Sequence, residues 1–203
     1  MELLYSVLVI TLMADACYSL TCTNANWWHT FDHEGWSHCN SENQYMTGLW
    51  RNDNKGLNDG IYLIEHAKCC FAPYLHAKDI PASCKKVNWW KVLDNTNKWA
   101  TCPDGYFTGG LYRTGKDPWL HNIEEARCCK PVGWPDKYAD CYVENVWGSF
   151  DRKGLSECKR EGYYMAGIFR GSCDKLYCLE EFKCCRMMDI EGTHNQADEI
   201  VKE

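Results

Sequence analysis

What the sequence lacks narrows its function before any residue is singled out. It holds no apolar run of the about 20 residues that a membrane-crossing helix requires. It has neither the G-x-S-x-G elbow of serine hydrolases nor the H-E-x-x-H pair of zinc peptidases. No C-x-x-C pair of the zinc-ribbon kind occurs, and no N-x-S/T acceptor for an N-linked glycan. An excess of positive charge is also missing, since 28 Asp and Glu face 22 Lys and Arg. Glu2 and Asp15 near the N-terminus, with Asp189, Glu191, Asp198, Glu199 and Glu203 against Lys202 near the C-terminus, account for the acidic surplus. The body between them is balanced, which argues against nucleic acid as a partner, because binding phosphates needs surplus Lys and Arg. Adjacent carboxylates such as Glu124 and Glu125 would point apart on a strand, the wrong layout for a glycosidase pair. These absences predict a protein that is not an enzyme, with no catalytic residue, cofactor or metal.

Cysteine is what the sequence has in abundance, with 15 in the chain. Such density reads as a disulfide framework formed in an oxidising compartment. The short apolar run Leu3–Met13, followed by the small residues Ala14 and Ala16 and then Cys17-Tyr18-Ser19, has the layout of a secretory signal peptide. Cleavage after Ala16 or Ser19 fits; cleavage after Ser19 removes Cys17 and leaves an even number of cysteines. The expected organisation is a signal peptide over 1–19, one domain over 20–186 and an acidic disordered tail over 187–203. The expected location is outside the cell, with no transmembrane segment.

The strongest signal is internal repetition. Three units, 22–70, 84–129 and 141–185, share one order of residues. The first runs Cys22, Trp27-Trp28, Phe31-Asp32, Gly35-Trp36, Cys39, Tyr45, Gly48-Leu49-Trp50-Arg51 and Ile64-Glu65 to Cys69-Cys70. The second runs Cys84, Trp89-Trp90, Leu93-Asp94, Trp99, Cys102, Tyr106-Phe107, Gly110-Leu111-Tyr112-Arg113 and Ile123-Glu124 to Cys128-Cys129. The third runs Cys141, Trp147, Phe150-Asp151, Gly154-Leu155, Cys158, Tyr163-Tyr164, Gly167-Ile168-Phe169-Arg170 and Leu179-Glu180 to Cys184-Cys185. Pro73, Pro81, Pro131, Gly133 and Pro135 punctuate the joints. One unit is too small to bury a core alone, so the three are expected to share one.

Aromatic-rich segments bounded by Gly and polar turns read as strands. The opening Trp-Trp segment and the closing segment before each double Cys are read the same way, which makes the chain all-β. Neighbouring side chains on a strand face opposite ways, so each double Cys reaches two partners. Cys22 and Cys39 are expected to pair with Cys69 and Cys70, Cys84 and Cys102 with Cys128 and Cys129, and Cys141 and Cys158 with Cys184 and Cys185. Which member takes which partner stays open. Cys173 and Cys178, present in the third unit alone, are left to pair with each other.

The recurring order of Trp, Cys, aromatic, Gly-hydrophobic-x-Arg, Leu/Ile and Cys resembles vitelline membrane outer layer protein I. The likeness runs through Trp36-Ser37-x-Cys39 to Arg51, Cys102 to Arg113, and Cys158 to Arg170, with the closures that follow. The resemblance implies a β-prism, three Greek-key sheets around a pseudo-threefold axis, and an egg-coat protein associated with mucin-type and chitin-like glycans. The family's paired Asp before the closing strand is replaced by single residues, Asp59, Asp117 and Asp174. A second resemblance, to dermatopontin-type matrix proteins, rests on the same Trp, Gly and Cys rhythm.

Two sets of repeated residues are candidates for ligand binding. Trp28, Trp90 and Trp147 stand beside Trp27, Trp89 and Val146; an outward ring at those places suits stacking on a sugar, and the alternative is that both rings of a pair pack inward. Arg51, Arg113 and Arg170 recur with Glu65, Glu124 and Glu180. They are placed either in three sugar sites or in three salt bridges that fix strand register. Asp32, Asp94 and Asp151 are expected in Asx-turns, with calcium an alternative that lacks a second carboxylate. His29, His33 and His38 cluster in the first unit only, so no metal is assigned to them. The reading is a lectin-like extracellular protein whose partners are glycans or glycoproteins. Its alternatives are a purely structural matrix or egg-coat protein and a secreted toxin or immune effector.

Overall fold

A computed structural model describes residues 21–53, 58–72, 81–115 and 117–188. The leader expected at 1–19 and all but the first residues of the expected tail lie outside this range. Each repeat contributes four strands. They are β1 (Cys22–Asn26), β2 (Gly35–His38), β3 (Gln44–Arg51) and β4 (Ile64–Phe71) in the first. The second has β5 (Ala82–Asn88), β6 (Lys98–Thr101), β7 (Phe107–Arg113) and β8 (Ile123–Pro131). The third has β9 (Tyr138–Asn145), β10 (Gly154–Glu157), β11 (Tyr163–Arg170) and β12 (Leu179–Met187). All pairings are antiparallel.

The three sheets do not coincide with the three repeats. Their strand orders are β1-β4-β3-β10, β2-β7-β8-β5 and β6-β11-β12-β9. Each repeat therefore keeps three strands at home and lends its second strand to the next repeat. The third repeat lends β10 back to the first, so the exchange closes into a ring. The central strands β3, β7 and β11 touch one another in all three pairs and line a pseudo-threefold axis. On that axis Tyr45, Phe107 and Tyr164 meet edge to face, with centroids 5.7, 5.6 and 5.5 Å apart, a favoured aromatic geometry. At the other end of the same strands, three short 3-10 turns form a ring of main-chain hydrogen bonds. Ile61 N–H donates to the Pro118 carbonyl, Leu120 to Asp174 and Leu176 to Asp59, at 2.8, 3.0 and 2.8 Å.

The Gly-hydrophobic-x-Arg motif is the seat of the borrowed strand. A Cβ built on Gly48, Gly110 or Gly167 would stand 2.5, 2.7 or 2.6 Å from a carbonyl oxygen of the strand lent to it. Only glycine allows that approach. A bulge precedes each of these glycines, and the carbonyl of the extra residue accepts an incoming N–H. Thr47 receives Cys158, Gly109 receives Cys39 and Ala166 receives Cys102, at 2.8, 2.9 and 2.8 Å.

Seven disulfides form among the described residues, with the partners expected within each repeat. The opening Cys faces the last Cys across one sheet: Cys22–Cys70, Cys84–Cys129 and Cys141–Cys185, with Cα atoms 4.0, 4.1 and 4.1 Å apart. The middle Cys, at the end of the lent strand, returns to the first of the pair: Cys39–Cys69, Cys102–Cys128 and Cys158–Cys184. These three bridges each tie one sheet to another. Cys173 pairs with Cys178.

Candidate functional site

The opening segments depart from the strand expected of them. β1, β5 and β9 end at Asn26, Asn88 and Asn145, whose side-chain carbonyls accept the N–H of Trp28, Trp90 and Trp147 at 3.0, 3.0 and 3.1 Å. These Asn side chains turn the backbone. One helical turn follows, closed by Phe31 N–H on the Trp27 carbonyl, Leu93 on Trp89 and Phe150 on Val146. In the second and third repeats it forms the short helices α1 (Trp90–Leu93) and α2 (Trp147–Phe150). The Asx-type turns belong to these asparagines; Asp94 and Asp151 stand instead at the C-caps of α1 and α2.

The turn sorts the paired aromatics. Trp27, Trp89 and Val146 are buried, while Trp28, Trp90 and Trp147 are 50, 49 and 61% exposed. The indole N–H groups of Trp27 and Trp89 donate to the carbonyls of His38 and Thr101, so both inner rings are anchored. The helices pack on the 3-10 turns of the backbone ring. The three outer rings occupy equivalent places in the three repeats, and so share that end of the axis.

The arginines are not ligand groups, which corrects one of the two roles considered for them. Arg51, Arg113 and Arg170 are 1, 2 and 5% exposed. Each donates to the carbonyl of the residue whose N–H closes the Trp turn of the preceding repeat: Arg51 to Phe150 at 3.0 Å, Arg113 to Phe31 at 2.8 Å, and Arg170 to Leu93. At home each guanidinium is also held, by the Asp59 carboxylate, by the Gly115 and Asp117 carbonyls, and by Asp174 at 3.0 Å, respectively. The glutamates are not their partners either. Glu65 accepts from the Asn52 amide at 2.6 Å and Glu124 from the Thr114 hydroxyl. Burial pushes the Arg113 guanidinium down from its ordinary range, with Asp32 opposing. Burial pushes the Asp151 carboxyl up, with Arg51 opposing. Each Arg thus locks a borrowed segment in place. A planar fork with several donors is what separated carbonyls and a carboxylate call for.

A second exposed surface lies on the outer face of each sheet. Trp36 pairs with Tyr112 and Trp99 with Phe169, each at 5.3 Å between centroids. Each pair joins a lent strand to the strand that seats it. Beside them run shallow grooves, of about 350 Å³ along Trp36 and about 340 Å³ along Trp99. A third, of about 270 Å³, runs past Lys68 and Glu157. These faces did not stand out in the sequence, although a Trp follows the turn in both of the first two repeats. The recurrent Asn four residues after each opening Cys was also visible there and unread. The chain matches no protein-family model, no curated protein and no solved structure.

Proposed function

We propose that this is a secreted, non-enzymatic protein that binds glycans or extracellular glycoproteins through three tryptophan-bearing turns. The observation that carries the reading is the sorting of each opening pair, with one residue buried and the next ring about half exposed, in all three repeats. An exposed indole on a backbone fixed by an Asn turn and a buried neighbour is a preorganised stacking platform. Three such platforms at one end of a rigid body would combine weak contacts into useful avidity. Secretion is supported by the signal-like leader and by seven disulfides. No helix among the described residues is long and apolar enough to cross a membrane. The kinship with vitelline membrane outer layer protein I is likewise proposed, on the repeat motif and the threefold set of sheets.

The test is binding of the oxidised protein to a glycan panel that includes chitin and mucin-type oligosaccharides. The triple variant Trp28→Ala, Trp90→Ala, Trp147→Ala is expected to lose binding by about tenfold or more, with thermal stability nearly unchanged because these rings are exposed. Absence of binding to any glycan, or binding that survives the triple variant, would leave the purely structural matrix reading in front.

A further inference from the structure

The fold is threefold, but the three sheet faces are not chemically alike. Four residues stand abreast across each outer face where the lent strand is seated. They are His38, Gly110, Arg127 and Lys86 on the sheet built on the second repeat. On the third they are Thr101, Gly167, Lys183 and Val143. On the first they are Glu157, Gly48, Lys68 and Asn24. The second place is always glycine, which leaves the floor low, and the third is always a cation. The flanks differ. On the first sheet one flank, Glu157, is acidic and lies 2.6 Å from the Lys68 ammonium, and the other, Asn24, is uncharged. On the third the flanks are uncharged. On the second, the flanks are His38 and Lys86, and neither is acidic.

The groove on that second face is lined by Trp36, His38, Cys84, Lys85, Lys86 and Arg127, and no carboxylate lines it. Lys86 has its ammonium 5.3 Å from the Trp36 ring centre and Lys85 lies 4.3 Å from that of Tyr106. Neither lysine has a carboxylate within ion-pair distance among the described residues. Arg127 is paired at 2.7 Å with Glu42, a side chain 72% exposed. A groove with an aromatic wall, two lysines without an ion-pair partner among the described residues and an arginine whose carboxylate partner is largely exposed is complementary to a ring that carries a negative group.

We propose that this face is a site for an acidic sugar unit, a pyranose bearing a carboxylate or a sulfate, with its ring against Trp36 and its anionic group between Lys86 and Arg127. The inference rests on the glycan reading for the class of ligand. It places charge recognition on one sheet face only, on residues other than the exposed tryptophans of the turns.

The experiment titrates the full oxidised chain with polygalacturonate, dextran sulfate, uncharged dextran, chitin hexamer and polyglutamate. One or both acidic polysaccharides are expected to bind at least tenfold more tightly than uncharged dextran and polyglutamate, and to weaken as salt rises. The pair Lys86→Gln, Arg127→Gln is expected to weaken that binding about tenfold. Lys183→Gln, its counterpart on the third sheet, should change it less than about twofold, since its position lies off the proposed site. Trp36→Ala should weaken it with the charge unchanged. Polyglutamate binding as well as the acidic sugars would overturn the proposal, because simple polyanion attraction would then suffice. So would indifference to the Lys86, Arg127 pair or to Trp36→Ala. Chitin bound through the tryptophan turns with no preference for acidic sugars would overturn this inference and leave the general function standing. Failure of every sugar would remove both.

Discussion

Tyr45 is the member of the axial aromatic triplet whose hydroxyl is at odds with its surroundings. The ring is 1% exposed, and its hydroxyl finds no hydrogen-bond partner among the described residues. The equivalent position in the second repeat is Phe107, which has no such group. In the third, Tyr164 donates to the Phe71 carbonyl at 2.8 Å. Burial pushes the Tyr45 phenol well above its ordinary range, so it stays neutral throughout the usual pH range and the cost is one of desolvation alone. Leaving a buried polar group unpaired costs about 1–3 kcal/mol. Removing one oxygen opens a void of roughly 10–15 Å³, worth about 0.3 kcal/mol at the usual cavity coefficient. Tyr45→Phe is therefore expected to stabilise the protein by about 1–2 kcal/mol. At roughly 2–4 °C per kcal/mol for a domain of this size, the melting temperature should rise by about 2–8 °C. Tyr164→Phe, which deletes a made hydrogen bond, should lose about 1 kcal/mol. Guanidinium unfolding of the two variants with disulfides intact decides the matter. A destabilised Tyr45→Phe, or equal shifts for both variants, would refute the reasoning.

Other perturbations probe the exchange of strands and the acid response. Arg113→Met leaves the Phe31, Gly115 and Asp117 carbonyls without their charged donor and should cost about 3 kcal/mol or more by chemical denaturation, with Arg113→Lys no full rescue. Gly110→Ala drives a methyl to 2.6 Å from the His38 Cβ and should cost about 1–3 kcal/mol. Gly148→Ala, in open space on α2, should instead gain about 0.5 kcal/mol, and equal effects at the two sites would argue against the close-approach explanation. The Asp140 carboxyl is held below its usual range by the Tyr163 hydroxyl and then by Arg186. Its contribution is present above the unfolded carboxylate value and disappears as pH falls through the lower folded value. Asp140→Asn should therefore lower stability at neutral pH and leave it unchanged below the folded carboxylate value, which flattens the acid side of the profile, as followed by thermal melts from neutral pH to pH 2.

The partners of every double Cys and the all-β class were legible because each rests on local pattern. Spacing and strand alternation carry that information without reference to neighbours. The exchange of strands was not legible. The segment Gly35-Trp36-Ser37-His38 has the same alternation whichever sheet receives it, and nothing local distinguishes a strand kept from a strand lent. The arginines were ambiguous for a related reason. A residue that recurs three times fits three ligand sites as well as three internal clamps, and only the carbonyls of another repeat decide between them. At the tryptophan turns one of the two arrangements considered is found, through a different geometry. Inner and outer rings were expected from strand alternation, but the sorting is done by a helical turn that Asn26, Asn88 and Asn145 begin. A short polar residue before two bulky aromatics is easily passed over, although its threefold recurrence was present in the sequence.

The ring of lent strands has a further consequence for how the molecule is held together. Among the described residues every disulfide lies inside one repeat, and none joins a repeat to another. Apart from the two connecting segments, 71–83 and 130–140, the repeats are joined only noncovalently. In topology the protein is a strand-swapped homotrimer written on one chain, with the connecting segments serving to hold the three protomers at high effective concentration. Severing both segments should leave a particle that sediments intact in native buffer, yet falls into three separate pieces in denaturant with every sulfur still bonded.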